Sequence, residues 1–252
     1  MLDSCGTSES GETPQALKAL RRLTARPAES KHPGVERNGL VQKVLIQKAF
    51  YLVPTSNPVY DKQKKEEQNM TLKEWFEKGM TTQQYLDYMK VNKENTETIL
   101  HKFEIPKEDE QILSSLSNQN LSVIILTEDW CGDAMINVPI LLKLAEATNM
   151  HVRFLLRDEN LELMDQYLTN GTSRAIPIFI FIDENGIEKA VWGPRAPEIQ
   201  KMVEEARAEL PDKEAEEFPE KQKAMYQRLM SYYVESPEAW TYVYNSIKKK
   251  FQ

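Results

Sequence analysis

Leu121-Ser-Val-Ile-Ile-Leu-Thr-Glu-Asp-Trp-Cys-Gly-Asp-Ala134 decides how this 252-residue chain folds. Its opening, Leu121 to Leu126, is a compact apolar run with β-branched residues, the pattern of a strand buried on both faces. Cys131 then stands at the end of that strand and directly ahead of a helix. Backbone N–H groups and the positive end of a helix stabilise a thiolate in such a place. Trp130 shields one side of the sulfur, and Gly132 lets the backbone turn tightly and leaves the thiol approachable. The competing reading is a cysteine buried as a small hydrophobe.

Working outward, Asn137 to Asn149 reads as a helix with Val138, Leu141, Leu142, Leu144 and Ala145 on its apolar face. His151 to Leu156 is a second buried strand and Leu161 to Leu168 a second helix, so the order implies a parallel crossover unit. Ile176 to Ile182 and Glu188 to Trp192 are strands joined through Asp183-Glu-Asn-Gly186, where Asn-Gly supplies a hairpin turn. A helix from Pro197 to Leu210 completes a βαβαββα core within residues 119–210. Upstream, residues 70–118 read as helical: Thr71 caps one helix, Thr81 or Thr82 caps another running toward Phe103, and a third follows Pro106 to about Ser117. Downstream, residues 211–252 carry two apolar stripes, Tyr226, Leu229, Met230, Tyr233 and Trp240, Tyr244, Ile247, Phe251. Ser236-Pro237 separates them, which predicts an antiparallel helical hairpin packed on the core.

Forty per cent hydrophobic content suffices for a real core. The net charge of −7 is uneven: residues 1–69 carry 11 Lys+Arg against 8 Asp+Glu, leaving 21 against 31 for residues 70–252. An acidic body repels phosphate backbones, so nucleic acid is not an expected partner. Nor is a membrane, because the apolar run Val44 to Pro54 is broken by Gln47 and Lys48 and is far shorter than the roughly 20 residues a span needs. No secretory pattern opens the chain, and the two cysteines, Cys5 and Cys131, are too far apart for a disulfide framework; a reducing cytoplasm is expected. Residues 1–69 lack lasting periodicity and read as a disordered extension. Codons for Lys65-Glu66-Glu67 can resemble a ribosome-binding site just upstream of Met70, so native translation starting at Met70 stands beside an ordinary charged linker.

Pro177 opens a central strand, at a position where its missing N–H is tolerated. The βαβαββ order, Trp130-Cys131-Gly132 at the end of the first strand and Ile176-Pro177 ahead of the next-to-last strand together resemble thioredoxin. The resemblance covers about Leu121 to Leu210. It is tighter to a bacterial thioredoxin-family subgroup sharing the Thr127 to Ala134 segment and Trp192-Gly-Pro-Arg195. It implies an α/β thioredoxin-like fold with additional N- and C-terminal helices, Cys131 as the nucleophile, and a cis Pro177 facing the sulfur. It further implies that Ile176 offers its backbone to a bound peptide or thiol in strand-like pairing, with Trp130, Gly132 and Asp133 completing the binding site. Two positions depart from the family. Ala134 stands where a resolving cysteine would release the substrate, and Ile125 stands where the family has a buried aspartate for proton transfer.

Asp133 complements the helix dipole but opposes an adjacent thiolate. Glu128 and Asp129 read as a solvated loop with helix-start acids. Arg157 and Arg195 follow strand ends, where sites of open sheets often lie; neither is assigned to the site. His32, His101 and His151 form no ligand-spaced cluster, and no metal or bound cofactor is expected. Two functions are therefore expected of the chain. One is a monothiol thiol-disulfide oxidoreductase that forms mixed disulfides with protein or low-molecular-weight thiols and is resolved by an external thiol. The other is a non-catalytic protein-binding module or thiol sensor.

Overall fold

The computed structural model describes residues 70–252; the expectations for residues 1–69, Cys5 among them, lie outside the described residues. Thr71 caps α1 (Leu72–Lys78) reciprocally, its hydroxyl accepting the Glu74 N–H while the Glu74 carboxylate accepts the Thr71 N–H at 2.7 Å. Thr81 and Gln84 repeat the device at α2 (Thr82–Tyr88). The single helix expected to run on toward Phe103 is instead two. The chain leaves helical geometry before α3 (Lys93–Lys102), with Asn92 left-handed at φ 58°. The cause lies 37 to 39 residues downstream: the Lys90 and Val91 N–H groups donate to the Asp129 carboxylate at 2.8 and 3.1 Å, and the Asn92 side-chain amide donates to the Asp129 carbonyl at 3.0 Å. A short 3-10 turn, Lys107–Asp109, then leads into α4 (Glu110–Ser117).

The sheet is built from β1 (Ser122–Thr127), β2 (His151–Leu156), β3 (Ile178–Ile182) and β4 (Glu188–Trp192), in the order β2-β1-β3-β4. β1 runs parallel to β2 and antiparallel to β3, and β3 is antiparallel to β4. The crossover from β1 to β2 is α5 (Gly132–Thr148), which begins five residues earlier than its apolar stripe suggests because Cys131 itself caps it. Only Lys143, Glu146 and Ala147 of its 17 residues escape burial, as expected of a helix surrounded by others. α3, α4 and two C-terminal helices introduced below pack along it. After β2 the expected helix Leu161 to Leu168 shrinks to one turn, α6 (Leu161–Met164). The Gln166 and Tyr167 N–H groups tighten onto carbonyls three residues back, and the chain then reverses through left-handed Asn170 and Gly171.

The β3–β4 turn is held by Asp183, whose carboxylate accepts the N–H groups of Asn185 and Ile187, with Gly186 at φ 77°. α7 (Pro197–Ala208), α8 (Phe218–Glu235), α9 (Pro237–Lys248) and a final 3-10 turn (Lys249–Phe251) follow. Pro237 sits at the first position of α9, where a missing N–H costs nothing, and the Ser236 hydroxyl accepts the Ala239 N–H. One buried cluster runs from Trp75 through the sheet to Ile247. Tyr85 stacks on Phe154 and Trp192 on Phe179, while the indole N–H of Trp192 reaches Ser246 of α9. Among the described residues no helix is long and apolar enough to cross a membrane.

Candidate thiol site

The end of β1 sets the site. The Cys131 N–H donates to the Glu128 carbonyl at 3.2 Å, which folds the chain sharply so that Cys131 becomes the N-cap of α5. Its Sγ accepts the Ala134 N–H at 3.4 Å and its thiol donates to the Ile176 carbonyl, also at 3.4 Å. The Ile176–Pro177 peptide bond is cis. Cys131, Ile176 and Pro177, far apart in sequence, thus converge, although Cys131 is 0% exposed.

Each remaining site residue has a definite neighbour. Trp130 is half-buried with the Arg157 guanidinium 4.9 Å over its ring. Arg157 is itself held by Asp158 and the Arg174 carbonyl. Gly132 lies under α8: a Cβ there would come within 2.5 Å of the Met230 methyl and 2.8 Å of its sulfur. Asp133 is 4% exposed. Arg195 grips its carboxylate with two nitrogens, Nε to Oδ1 at 2.8 Å and Nη2 to Oδ2 at 2.6 Å, and donates from Nη1 to Gln200 of α7. The Tyr233 hydroxyl of α8 also reaches Asp133 Oδ1, at 3.4 Å. Burial, followed by the Asp133 charge, holds the Tyr233 phenol well above its ordinary pKa.

Gly193, which precedes a second cis proline, Pro194, leaves no room for a side chain against the Pro177 carbonyl. The Pro194 carbonyl in turn accepts from the Asn137 amide of α5 at 2.9 Å. Trp192-Gly-Pro-Arg195 therefore packs directly against both halves of the site.

Glu128 and Asp129 are not a solvated loop; both are buried. Asp129 is consumed in holding the α2–α3 break. Glu128 accepts the Asp158 N–H at 2.9 Å, but burial outweighs that bond and pushes its carboxyl up to about 7. Ile125 is fully buried between Phe154 and Phe179 in the sheet register, so no ionisable group occupies that position. Among the described residues no group of three His, Cys, Asp or Glu side chains is arranged to hold a metal ion.

Three neighbours of the site carried no sequence signal that placed them there. Arg195 stands in a segment visible as a motif, yet a charged residue after a strand reads equally as a surface turn. Met230 and Tyr233 belong to an apolar stripe whose periodicity says only that one helix face is buried.

A parallel βαβ unit leading into an antiparallel pair, with a cysteine capping the crossover helix opposite a cis proline, defines a thioredoxin-like fold. A thioredoxin family model matches residues 79–207, and the chain belongs to the thioredoxin family. The protein of unknown function PA1234 from Pseudomonas aeruginosa is similar in structure, with a TM-score of 0.52 at 15% identity, over 71% of this chain and 98% of that one. An HIV epitope-scaffold is also similar, with a TM-score of 0.50 at 12% identity, over 71% of this chain and 96% of the scaffold. Both likenesses concern the fold alone. No curated protein matches the chain.

Proposed function

We propose that this thioredoxin-family chain is a cytoplasmic monothiol thiol-disulfide oxidoreductase with Cys131 as its nucleophile. The observation that carries the reading is the position of Sγ, at the N-cap of α5 within 3.4 Å of both the Ala134 N–H and the Ile176 carbonyl. On losing its proton to solvent the sulfur keeps the Ala134 N–H as a donor, and the helix N-terminus favours the negative charge. The thiolate attacks one sulfur of a mixed disulfide, forming a new S–S bond to Cys131 as the old one breaks and the other sulfur departs as thiolate. Ile176 offers its backbone to the substrate segment beside Pro177, with Trp130 flanking the approach and Gly132 reached once the Met230 side chain swings aside. Ala134 cannot resolve the adduct. An external thiol attacks the substrate-derived sulfur, is itself oxidised into the released disulfide, and restores Cys131.

A specific observation favours the second reading, a protein-binding module or thiol sensor. Cys131 is fully buried, and Met230 lies on Gly132 beside it. The test is to mix the reduced protein with a peptide carrying a low-molecular-weight thiol as a mixed disulfide. Mass spectrometry then follows the Cys131 adduct and its release by added thiol. Capture and release in the wild type, lost in Cys131→Ser, are expected; turnover retained in Cys131→Ser, or a thiol that never exchanges in the folded protein, refutes the reading.

A further inference from the structure

Asp133 is a difficulty for a reactive thiol, since it places a carboxylate two residues from the sulfur in the first turn of α5. The structure contains its counterweight. Arg195, 62 residues away in sequence, pairs with Asp133 through two short contacts, and their side chains are only 7% and 5% exposed. In such a dry setting the charges act strongly on neighbours and on each other. Gln200 fixes the far side of the guanidinium and Tyr233 closes over the carboxylate, so the pair is held in one geometry.

We infer that Arg195 is a positioning residue for Cys131: by neutralising Asp133 it lets the thiolate form at the helix N-terminus without an opposing carboxylate charge. This rests on the reading that Cys131 reacts as a thiolate. The other titratable groups around the sulfur are already committed. Glu128 and Asp129 of the preceding turn accept backbone N–H groups from Asp158 and from Lys90 and Val91. The guanidinium of Arg157 is turned to Trp130 and Asp158. The phenols of Tyr85 on α2 and Tyr233 on α8 are held neutral by burial. Glu128, its carboxyl pushed up to about 7, is the same in every variant, so the Asp133–Arg195 pair is the balance that these substitutions tip in either direction.

The experiment is the pH profile of iodoacetamide alkylation, followed by mass spectrometry on the peptide containing Cys131, in the full chain. Arg195→Gln uncovers the carboxylate and moves the midpoint up by about one pH unit, making alkylation near neutrality roughly tenfold slower. Asp133→Asn uncovers the guanidinium and moves the midpoint down by about as much. The double variant Asp133→Asn/Arg195→Gln returns to the wild-type midpoint, and Arg195→Lys, which keeps the charge, stays close to it. A purely structural pair gives a different pattern: loosening exposes the buried thiol and speeds alkylation in every variant. Shifts of one sign, or none, overturn the inference. Thermal melts by circular dichroism identify a variant that does not fold; if Arg195→Gln is one, the downward shift in Asp133→Asn and its absence in Arg195→Lys decide. The midpoint is read on the thiol itself, so loss of disulfide exchange would overturn the functional reading without touching this result.

Discussion

Glu128→Gln tests whether the turn that presents Cys131 holds a carboxyl group against its chemistry. Glu128 is 5% exposed, and burial raises its pKa from the ordinary 4.5 to about 7. Each unit corresponds to about 1.4 kcal/mol, so the folded state prefers the protonated form by about 3 kcal/mol. A carboxyl raised on folding contributes stability that is fully present below the unfolded pKa and is lost as pH rises through the folded one. The window therefore runs from 4.5 to about 7. Gln mimics the protonated acid and retains an oxygen to accept the Asp158 N–H. Urea unfolding of both proteins below and above the window reads the titration of this group, because carboxylates away from its neighbours Asp129 and Asp158 cancel in the comparison. Glu128→Gln is expected to gain about 3 kcal/mol on the wild type at high pH relative to low pH. A difference between the two proteins that stays constant across the window refutes the reasoning.

Three further outcomes are expected. Met230→Ala removes the thioether lying on Gly132 and should speed alkylation of Cys131 roughly tenfold, read by mass spectrometry, with little change in the melting temperature. Gly193→Ala places a methyl group against the Pro177 carbonyl at a backbone φ of 138°, and urea unfolding should show a loss of about 2 kcal/mol or more together with loss of thiol exchange. Ala134→Cys restores a second thiol within reach of Cys131. The oxidised variant should hold an intramolecular disulfide, and release of a trapped substrate should no longer require added thiol, as trapping experiments can show directly.

What was legible in the chain divides along a physical line. Leu121 to Leu126 was readable as a strand because burial on both faces demands an unbroken apolar run, and the observed strand is displaced by one residue. The caps at Thr71 and Thr81, the hairpin turn at Gly186 and the stop at Ser236-Pro237 are likewise local chemistry, decided within a few residues. The break at Asn92 was not readable, because it is imposed by a carboxylate 38 and 39 positions away from the N–H groups it accepts. Arg195 and Tyr233 reach Asp133 across 62 and 100 positions. Buried polar pairs have no periodicity, and a single charged letter looks the same whether it faces water or a partner. Cys131, Ile176 and Pro177 converge as the family resemblance implies; how Asp133 is engaged came only with the packing.

Residues beyond the family match pack on the turn that follows the thiol. The match ends at 207, and both Met230 and Tyr233 lie after it, yet they land on Gly132 and Asp133, the two residues that follow Cys131. α8 is anchored by buried Met225, Leu229 and Tyr233, and the indole N–H of Trp240 on α9 fixes the Tyr233 carbonyl at 2.7 Å. Lifting the helix would expose all of this apolar surface, at about 25 cal/mol for each Å². Moving Met230 alone costs far less. Its unbranched side chain turns about three bonds and is only half-buried, so rotation can clear the approach to Gly132 while Tyr233 keeps its grip on Asp133. The covering side chain and the charge-setting pair are thus separable. Met230→Ala should change the rate of alkylation at every pH without moving its midpoint, whereas Arg195→Gln should move the midpoint.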